Sequence, residues 1–195
     1  MTTTNRKRPS NRDVVIRVAT ALFLEKGYQI TSMDEIVAAS KVSKTNIYYH
    51  FKSKEELLSA IVEGIVAHYD RLIGETVGQT QLSATERIER FAALLTDNQT
   101  DSLGGCPFLT LYVQTSREQE WVREEIGRFF RKQIGAVEHL LREGVAREEF
   151  NSRLPVPQTA ALIVSAIEGA LFLQHTRQDS TLLSDTLHTL ANLLK

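Results

Sequence analysis

Side chains that can bond to bases or phosphates are concentrated in one short stretch near the N-terminus. They carry an ammonium, a hydroxyl, an amide, two phenols and an imidazole, and they are Lys44, Thr45, Asn46, Tyr48, Tyr49 and His50. An asparagine amide can bond to the edge of adenine in a bidentate manner, and a threonine methyl group can contact that of thymine. Phenols, imidazole and ammonium groups suit phosphate oxygens. The stretch predicts a contact with double-stranded DNA, with Thr45 and Asn46 at base edges. Packing in the core is the alternative for the two tyrosines.

The apolar residues of this stretch indicate the helix that must position those side chains. Ile47 and Phe51 are four residues apart and therefore share one helical face, and Ser43 can cap the N-terminus of the helix. A turn of about four residues, Ser40 to Ser43, connects it to a preceding short helix. Two short helices joined in this way have the helix-turn-helix layout, in which the second helix enters the major groove of DNA.

Further phosphate contacts are expected from neighbouring helix N-termini. Thr31 or Ser32 can cap the helix before the turn, where free amides and the helix dipole favour a phosphate oxygen. Lys54 is similarly placed at the start of a fourth helix, which Ser53 and Glu56 open as a capping box. Residues 1–10 form a basic arm that could reach a groove, and its cations are Arg6, Lys7 and Arg8. A disordered tail is the alternative for the arm.

Apolar residues recur at helical spacing through almost the whole chain, and sustained strand alternation is nearly absent. A stripe from Leu58 to Leu72 marks a long fourth helix, and another from Ile126 to Val145 covers five turns. Residues 74–83 are rich in Gly, Thr, Gln and Ser and are predicted to form a loop. The pattern predicts an all-α protein of about nine helices.

Charge is unevenly distributed along the 195 residues, although the net charge is only −1. Residues 1–55 hold ten Lys and Arg against five Asp and Glu, whereas residues 56–195 hold thirteen against nineteen. A basic head on an acidic body predicts that the head binds a polyanion, and a solvated surface is the alternative. We therefore expect a DNA-binding domain at 1–55 and a larger helical domain at 56–195.

Composition excludes several other classes of protein. Apolar residues make up 42% and charged residues 24%, as in soluble globular proteins. No apolar run is long enough to predict a membrane-spanning helix, no apolar segment supports a secretory signal, and a single cysteine favours the cytoplasm. The sequence has no phosphate-binding glycine loop, paired metal-binding histidines or Cys-x-x-Cys motif, so we expect no enzyme, cofactor or metal site.

Residues 11–60 combine the helix-turn-helix with further motifs at fixed spacing. The residues that carry the pattern are Phe23, Gly27, Tyr28, Thr31, Ile36, Ala38, Val42, Ser43, Lys44, Tyr48, Tyr49, His50, Phe51, Lys52, Ser53, Lys54, Glu55 and Leu57. This pattern resembles the TetR/AcrR family of bacterial transcription regulators. Lys41 stands where the family usually has a glycine in the turn, so it must tolerate the backbone conformation that the turn needs. The resemblance implies a three-helix DNA-binding domain, a larger ligand-binding domain and a repressor of transcription.

The C-terminal part of the chain suggests how two such DNA-binding domains are paired. A single two-turn helix contacts too few base pairs to specify one site in a genome, so a homodimer on a palindromic operator is expected. Small residues recur every fourth position on one helix and leucines stripe the last, namely Ala161, Ser165, Gly169, Leu183, Leu187 and Leu190. By the resemblance they form a four-helix dimer interface, and burial within one chain is the alternative.

Aromatic residues are concentrated in the middle of the chain. By the resemblance, these helices enclose the cavity of a small-molecule effector, lined by Tyr69, Phe91, Phe108, Tyr112, Trp121, Phe129 and Phe130. Core packing is the alternative for each of them. An effector that prefers a dimer with wrongly spaced recognition helices would weaken DNA binding, because successive major grooves lie about 34–36 Å apart.

Two alternatives to this function remain open from the sequence. Cys106 lies near a predicted helix N-terminus, where a thiolate is stabilised. The Gly105-Cys106 start resembles a branch of the family that includes electrophile- and oxidant-responsive repressors, whereas a small buried residue is the other interpretation. The second alternative is a helical scaffold whose helix-turn-helix binds only protein.

Overall fold

The computed structural model describes residues 9–97, 105–115, 119–178 and 181–194. Within these ranges the chain forms α-helices and no strand, which confirms the predicted all-α fold. The helices are α1 (Asn11–Glu25), α2 (Met33–Ser40), α3 (Lys44–His50), α4 (Lys54–Val77), α5 (Ala84–Asp97), α6 (Pro107–Thr115), α7 (Glu120–Ala146), α8 (Val156–Arg177) and α9 (Leu182–Leu193). The predicted basic arm lies outside the described residues.

The chain divides into two compact units, Met1–Gly64 and Ile65–Lys195, and the division falls inside α4. The first unit holds α1 to α3 and the start of α4. The second holds the rest of α4 and α5 to α9. The functional domain boundary between residues 55 and 56 stays a prediction.

Serine side chains start the helices of the first unit. Ser10 and Ser32 each form a capping box with the acidic residue three positions further on. Ser43 accepts a hydrogen bond from the backbone amide of Asn46 at 3.3 Å. Because each cap satisfies amides that a helix leaves unpaired, these serines fix where α1, α2 and α3 begin.

One apolar core joins the three short helices. Phe23 of α1, Ile36 of α2 and Ile47 of α3 are completely buried, and Phe51 covers the end of α3. Full burial of such a side chain contributes about 1.5–3 kcal/mol. The apolar face of α3 is therefore committed to the core, and this leaves its opposite face to solvent.

The turn between α2 and α3 begins with a left-handed residue. Lys41 has φ 57° and ψ 19°. Glycine adopts this conformation at no steric cost, whereas a residue with a Cβ is strained. Lysine at this position thus preserves the turn and retains the strain.

In the second unit, α4 runs further than the sequence indicated. The helix ends at Val77, so the predicted loop at 74–83 is wrong over its first residues. Thr76 is buried and its hydroxyl donates to the carbonyl oxygen of Leu72 at 2.9 Å. Burial of Ile73 and Thr76 on one face therefore keeps a stretch of loop-like composition helical.

The α8 helix departs from another expectation. By length and composition this helix could cross a membrane, and 33% of its most apolar stretch is buried within the chain. Ser165, Glu168 and Gln174 interrupt every apolar run of this helix, so run length alone did not single it out. Helices of this composition also occur in cores and at interfaces between chains, and α8 has an exposed apolar face, described below.

Candidate nucleic-acid interface

The backbone of α3 is held from both ends. At its start, the amide of Val42 donates to the Ser40 hydroxyl at 3.3 Å. At its end, Lys52 Nζ donates to the carbonyl oxygens of Tyr48 at 2.9 Å and Tyr49 at 3.4 Å. A cation suits the C-terminal end of a helix, where carbonyl groups carry partial negative charge. These contacts fix a helix of only seven residues.

Apart from Ile47, every residue of α3 is polar and exposed or partly exposed. We call these residues the α3 surface, which consists of Lys44, Thr45, Asn46, Tyr48, Tyr49 and His50. Lys44, Thr45 and Tyr49 are exposed, Tyr49 by 74%, while the other three are partly buried. The structure thus places all six predicted residues on the same short helix, each at least partly accessible. Core packing does not account for Tyr49.

An acidic neighbour pairs with one cation of this surface. Lys44 Nζ lies 2.8 Å from Asp34 Oδ1 of α2, and both side chains are exposed. The hydrogen bond and charge of Asp34 raise the pKa of Lys44. An exposed pair of this kind contributes little to stability, so a phosphate can replace the carboxylate at small cost.

The amide of Asn46 is not satisfied within the protein. Its Oδ1 is buried and has no hydrogen-bond partner among the described residues. A buried acceptor without a donor costs free energy. A base that offers a donor, such as the amino group of adenine, would satisfy it after rotation of the side chain.

The two candidates at the start of α2 are differently placed. Thr31 is buried, and its hydroxyl donates to the carbonyl oxygen of Gly27 at 2.8 Å. Ser32 is exposed, but its amide donates to Glu35 Oε2 at 3.0 Å. The Thr31 hydroxyl is therefore used inside the fold, and a carboxylate already occupies the anion position at Ser32.

The structure gives Lys54 a role that its position at a helix start did not indicate. Its Nζ donates to the carbonyl oxygens of Tyr28, Gln29 and Thr31 at 3.0, 3.3 and 3.1 Å. The same ammonium lies 4.4 Å from the centre of the Tyr28 ring. Three acceptors use the three donors of a lysine. Lys54 thus holds the segment between α1 and α2.

Lys52 belongs beside the α3 surface, although it was not among the DNA contacts predicted from the sequence. It is exposed, and its Nζ lies 6.0 Å from the centre of the Tyr49 ring. Tyr49 in turn packs edge-to-face on His50 at 5.1 Å. A basic residue directly after a short polar helix was the available signal.

The predicted effector residues separate into two groups. Tyr69, Phe108 and Phe129 are buried together, with the Phe108 and Phe129 rings stacked at 3.9 Å. Phe91 is also buried, whereas Phe130 and Trp121 are partly buried and Tyr112 is 38% exposed. Burial and ring contacts favour core packing for the first group. Tyr112 and Phe130 line an open groove instead.

The environment of Cys106 disfavours the thiolate. The thiol is buried, and burial raises its pKa, to which the charge of Glu168 and a hydrogen bond to that residue add. Backbone amides of Leu109 and Phe108 act in the opposite direction, as expected at a helix start. Burial outweighs them, so the expectation of a stabilised thiolate does not hold. Burial likewise raises the pKa of Glu168.

An apolar face of α8 is exposed. Ser165 and Gly169 are exposed and Ala161 is partly buried, in agreement with a strip that faces outward. Leu162, Phe172 and Leu173 extend this face, with Leu162 58% exposed. On α9, Leu187 and Leu190 are partly buried. Leu183 is buried within the chain, which favours burial in one chain over a place in the predicted dimer interface for this residue.

Known proteins share both parts of this architecture. Residues 15–61 match the bacterial regulatory proteins of the tetR family, and residues 84–188 match the C-terminal domain of LmrA/YxaF-like transcriptional regulators. The chain is 30% identical to the HTH-type transcriptional regulator YxaF of Bacillus subtilis (strain 168), over 89% of this chain and 90% of YxaF. It is 24% identical to the HTH-type transcriptional repressor DhaR of Mycobacterium sp. (strain GP1), over 82% and 80%.

Solved structures agree with the sequence matches. A TetR transcriptional regulator from Chloroflexus aurantiacus J-10-FL superposes with a TM-score of 0.80 at 26% identity, covering 93% of this chain and 92% of that protein. Regulators of this family are transcription factors that bind DNA and small-molecule ligands, and they are not enzymes. The present chain belongs to the TetR family of transcriptional regulators.

Proposed function

We propose that this protein is a cytoplasmic transcriptional repressor that binds a palindromic operator as a homodimer and is released by a small-molecule effector. The observation that carries the proposal is the α3 surface. Ile47 and Phe51 are buried in the core, whereas the polar side chains of α3 are exposed or partly exposed. A helix of this kind fits the major groove, where base edges present distinct donors and acceptors.

Direct DNA binding tests the assignment of roles. The operator is first selected from random duplexes with the purified protein, and affinity is then measured by fluorescence anisotropy at several salt concentrations. We expect affinity to fall steeply with salt as phosphate counterions are released. Asn46→Ala should mainly reduce the preference for the operator, by about 1–3 kcal/mol. Lys44→Gln should weaken binding to all duplexes. It should also lower the slope of log affinity against log salt concentration, called the salt slope below, by about one.

A matched control separates these effects from general loss of charge. Lys132 of α7 is also exposed and also pairs with an aspartate, Asp70. Lys132→Gln should leave the affinity and the salt slope unchanged. Equal affinity of the wild-type protein for random and selected duplexes would contradict the proposal and would favour a scaffold that binds only protein.

The exposed face of α8 supports the homodimer. Leu162, Phe172 and Leu173 place apolar area in solvent, which a single chain leaves uncovered. A Cβ built on Gly169 meets nothing within 4 Å, so a larger side chain fits the isolated chain. In a dimer, the same side chain would stand between two closely packed helices.

Substitution at Gly169 therefore tests the interface without disturbing the chain itself. Gly169→Arg should convert the dimer to a monomer in size-exclusion chromatography with light scattering. Gly135 is the matched control, because it is also exposed, helical and open to a Cβ. Gly135→Arg should remain dimeric. A wild-type protein that is monomeric at micromolar concentration would refute this part of the proposal.

A further inference from the structure

An open groove lies between α6 and α7 in the second unit. Its volume is about 710 Å³, which lies within the range of about 300–1,000 Å³ found for sites of small ligands. Residues of both helices line it. The groove is therefore large enough for a molecule of drug size, and its two walls differ in chemistry.

One wall is apolar and partly aromatic. Leu109 and Tyr112 of α6 are exposed to solvent, by 36% and 38%. Phe130 of α7 completes this wall and is backed by Phe129 at 5.5 Å between ring centres. Exposed aromatic and aliphatic area at the side of a groove can stack on the flat apolar body of a ligand. The rigid packing behind Phe130 holds this wall in place.

The other wall is basic. Three guanidinium groups line it, those of Arg123, Arg128 and Arg131, against the one carboxylate of Glu124. Arg123 and Arg128 form exposed pairs with neighbouring glutamates of α7 at 2.8 and 2.7 Å. Such pairs contribute little, so a ligand can replace one partner at small cost.

Arg131 is the cation best placed to hold a ligand. It makes no ion pair within the described part of the chain. A Cβ built on Gly127 would lie 3.4 Å from its Nη1, so the guanidinium lies against a glycine that also lines the groove. A planar guanidinium binds a carboxylate through two parallel hydrogen bonds.

We propose that this groove binds a small organic anion with a flat apolar body, such as an aryl carboxylate, and that this is the effector. The carboxylate pairs with Arg131, and the apolar body lies against Tyr112 and Phe130. Only the role of this ligand as an effector depends on the proposed function. Binding of the anion in the groove requires neither DNA nor a dimer.

Isothermal titration calorimetry with three matched probes tests the site. They are 2-naphthoate, the neutral 2-naphthamide and the cationic 2-naphthylmethylammonium, which share one ring system and differ in charge. We expect 2-naphthoate to bind at least about tenfold more tightly than either analogue, because a hydrogen-bonded charge pair contributes about 1.5–3 kcal/mol. Equal binding of all three, or no binding of the anion at millimolar concentration, would overturn the proposal.

Variants locate the bound anion. Arg131→Gln should lose about tenfold or more in affinity for 2-naphthoate, while Arg142→Gln should lose none, since Arg142 is an exposed arginine of the same helix outside the groove. Gly127→Val retains all arginines but displaces the Arg131 guanidinium, and it should also weaken binding. Circular dichroism confirms that each variant is folded. Unchanged affinity in both groove variants would place the anion elsewhere and refute the site.

The two proposals can fail separately. If 2-naphthoate binds through Arg131 but leaves operator binding unchanged, the site is real and its role as the effector site is wrong. If the protein binds no operator, the regulatory function fails while calorimetry still decides the anion site. If Tyr112→Asp lowers the mass seen by light scattering, a second chain covers the groove, and the anion proposal is overturned.

Discussion

Arg87 of α5 is completely buried, and its Nη2 lies 2.7 Å from Oε1 of Glu143 on α7. The contact is an ion pair, and Nε of Arg87 has no acceptor among the described residues. Nη1 donates to the carbonyl oxygen of Val77 at 2.9 Å, so the same side chain also holds the end of α4. Glu143 further pairs with Arg147.

Replacing Arg87 by methionine should destabilise the protein. The change removes the hydrogen bond that the Arg87 guanidinium donates to the carbonyl oxygen of Val77. Hydrogen bonds to charged groups contribute about 1.5–3 kcal/mol, so we expect a loss in that range in the free energy of unfolding. Urea denaturation followed by circular dichroism measures it. Arg142→Met is the control, since Arg142 forms an exposed pair with Glu138, and it should cost less than about 0.5 kcal/mol. Equal losses would contradict a special role for the buried pair.

Lys54→Met should lower stability as well as DNA affinity. Nζ of Lys54 satisfies three backbone carbonyl oxygens, and hydrogen bonds to charged groups contribute about 1.5–3 kcal/mol. We expect a loss in that range in urea denaturation. Lys44→Gln, at an exposed lysine of the α3 surface, should weaken DNA binding while the urea midpoint stays unchanged. A Lys54 variant with wild-type stability would return this residue to the role of a phosphate contact.

Lys41→Gly should stabilise the protein. The left-handed backbone at Lys41 costs about 1 kcal/mol for a residue with a Cβ, and glycine avoids this cost. Thermal denaturation should show a higher midpoint. Glu148 also has a positive φ, of 61°, and Glu148→Gly serves as a comparison in a turn of the second unit that should respond in the same direction. A lower midpoint for the Lys41 variant would contradict the claim that the left-handed backbone at this residue is strained.

Glu168→Gln should become more stabilising as the pH rises. Burial raises the pKa of Glu168 above its ordinary value of 4.5, so the folded state favours the neutral carboxyl. That contribution to stability is complete below pH 4.5 and is lost as the pH rises through the raised pKa. Glutamine stays neutral, so the stability difference should grow across this window by at most about 1.4 kcal/mol per pH unit. A stability difference between the two proteins that does not change with pH would contradict the raised pKa of Glu168.

Cys106 should react slowly with N-ethylmaleimide in the folded protein. Its thiol is buried and its pKa is raised, and only the thiolate is strongly nucleophilic. Mass spectrometry at pH 7 should show much faster alkylation in urea than in buffer. If native alkylation is fast, and abolishes DNA binding in the wild type but not in Cys106→Ser, the thiol-sensing alternative gains direct support.

Local signals in the sequence predicted the elements around α3 well. The serine caps, the apolar pair Ile47 and Phe51, and the polar face between them depend on residues within a few positions of one another. Lys54 shows the limit of such signals, because the carbonyl oxygens that it binds belong to residues 23 to 26 positions earlier in the chain. Composition could not reveal that contact.

The second unit was harder to predict for the same reason. The sequence pattern that marks Phe108 and Phe129 as core is identical to the pattern expected for a cavity lining. Their burial and ring stacking, which favour the core, appear only in the structure. The thiol of Cys106 was placed correctly at a helix start, but its raised pKa depends on burial and on Glu168 of another helix. Nothing near Cys106 in the sequence indicates that partner.

The uncovered apolar side of α8 links folding to abundance. Any association that covers Leu162, Phe172 and Leu173 adds its free energy to that of the folded chain, so the denaturation midpoint should rise as the protein is concentrated. In the proposed dimer, dilution would then lower both the stability of the fold and the affinity for a palindromic operator. If the proposed homodimer forms, the number of copies in a cell would set both the stability of each folded chain and the occupancy of the operator.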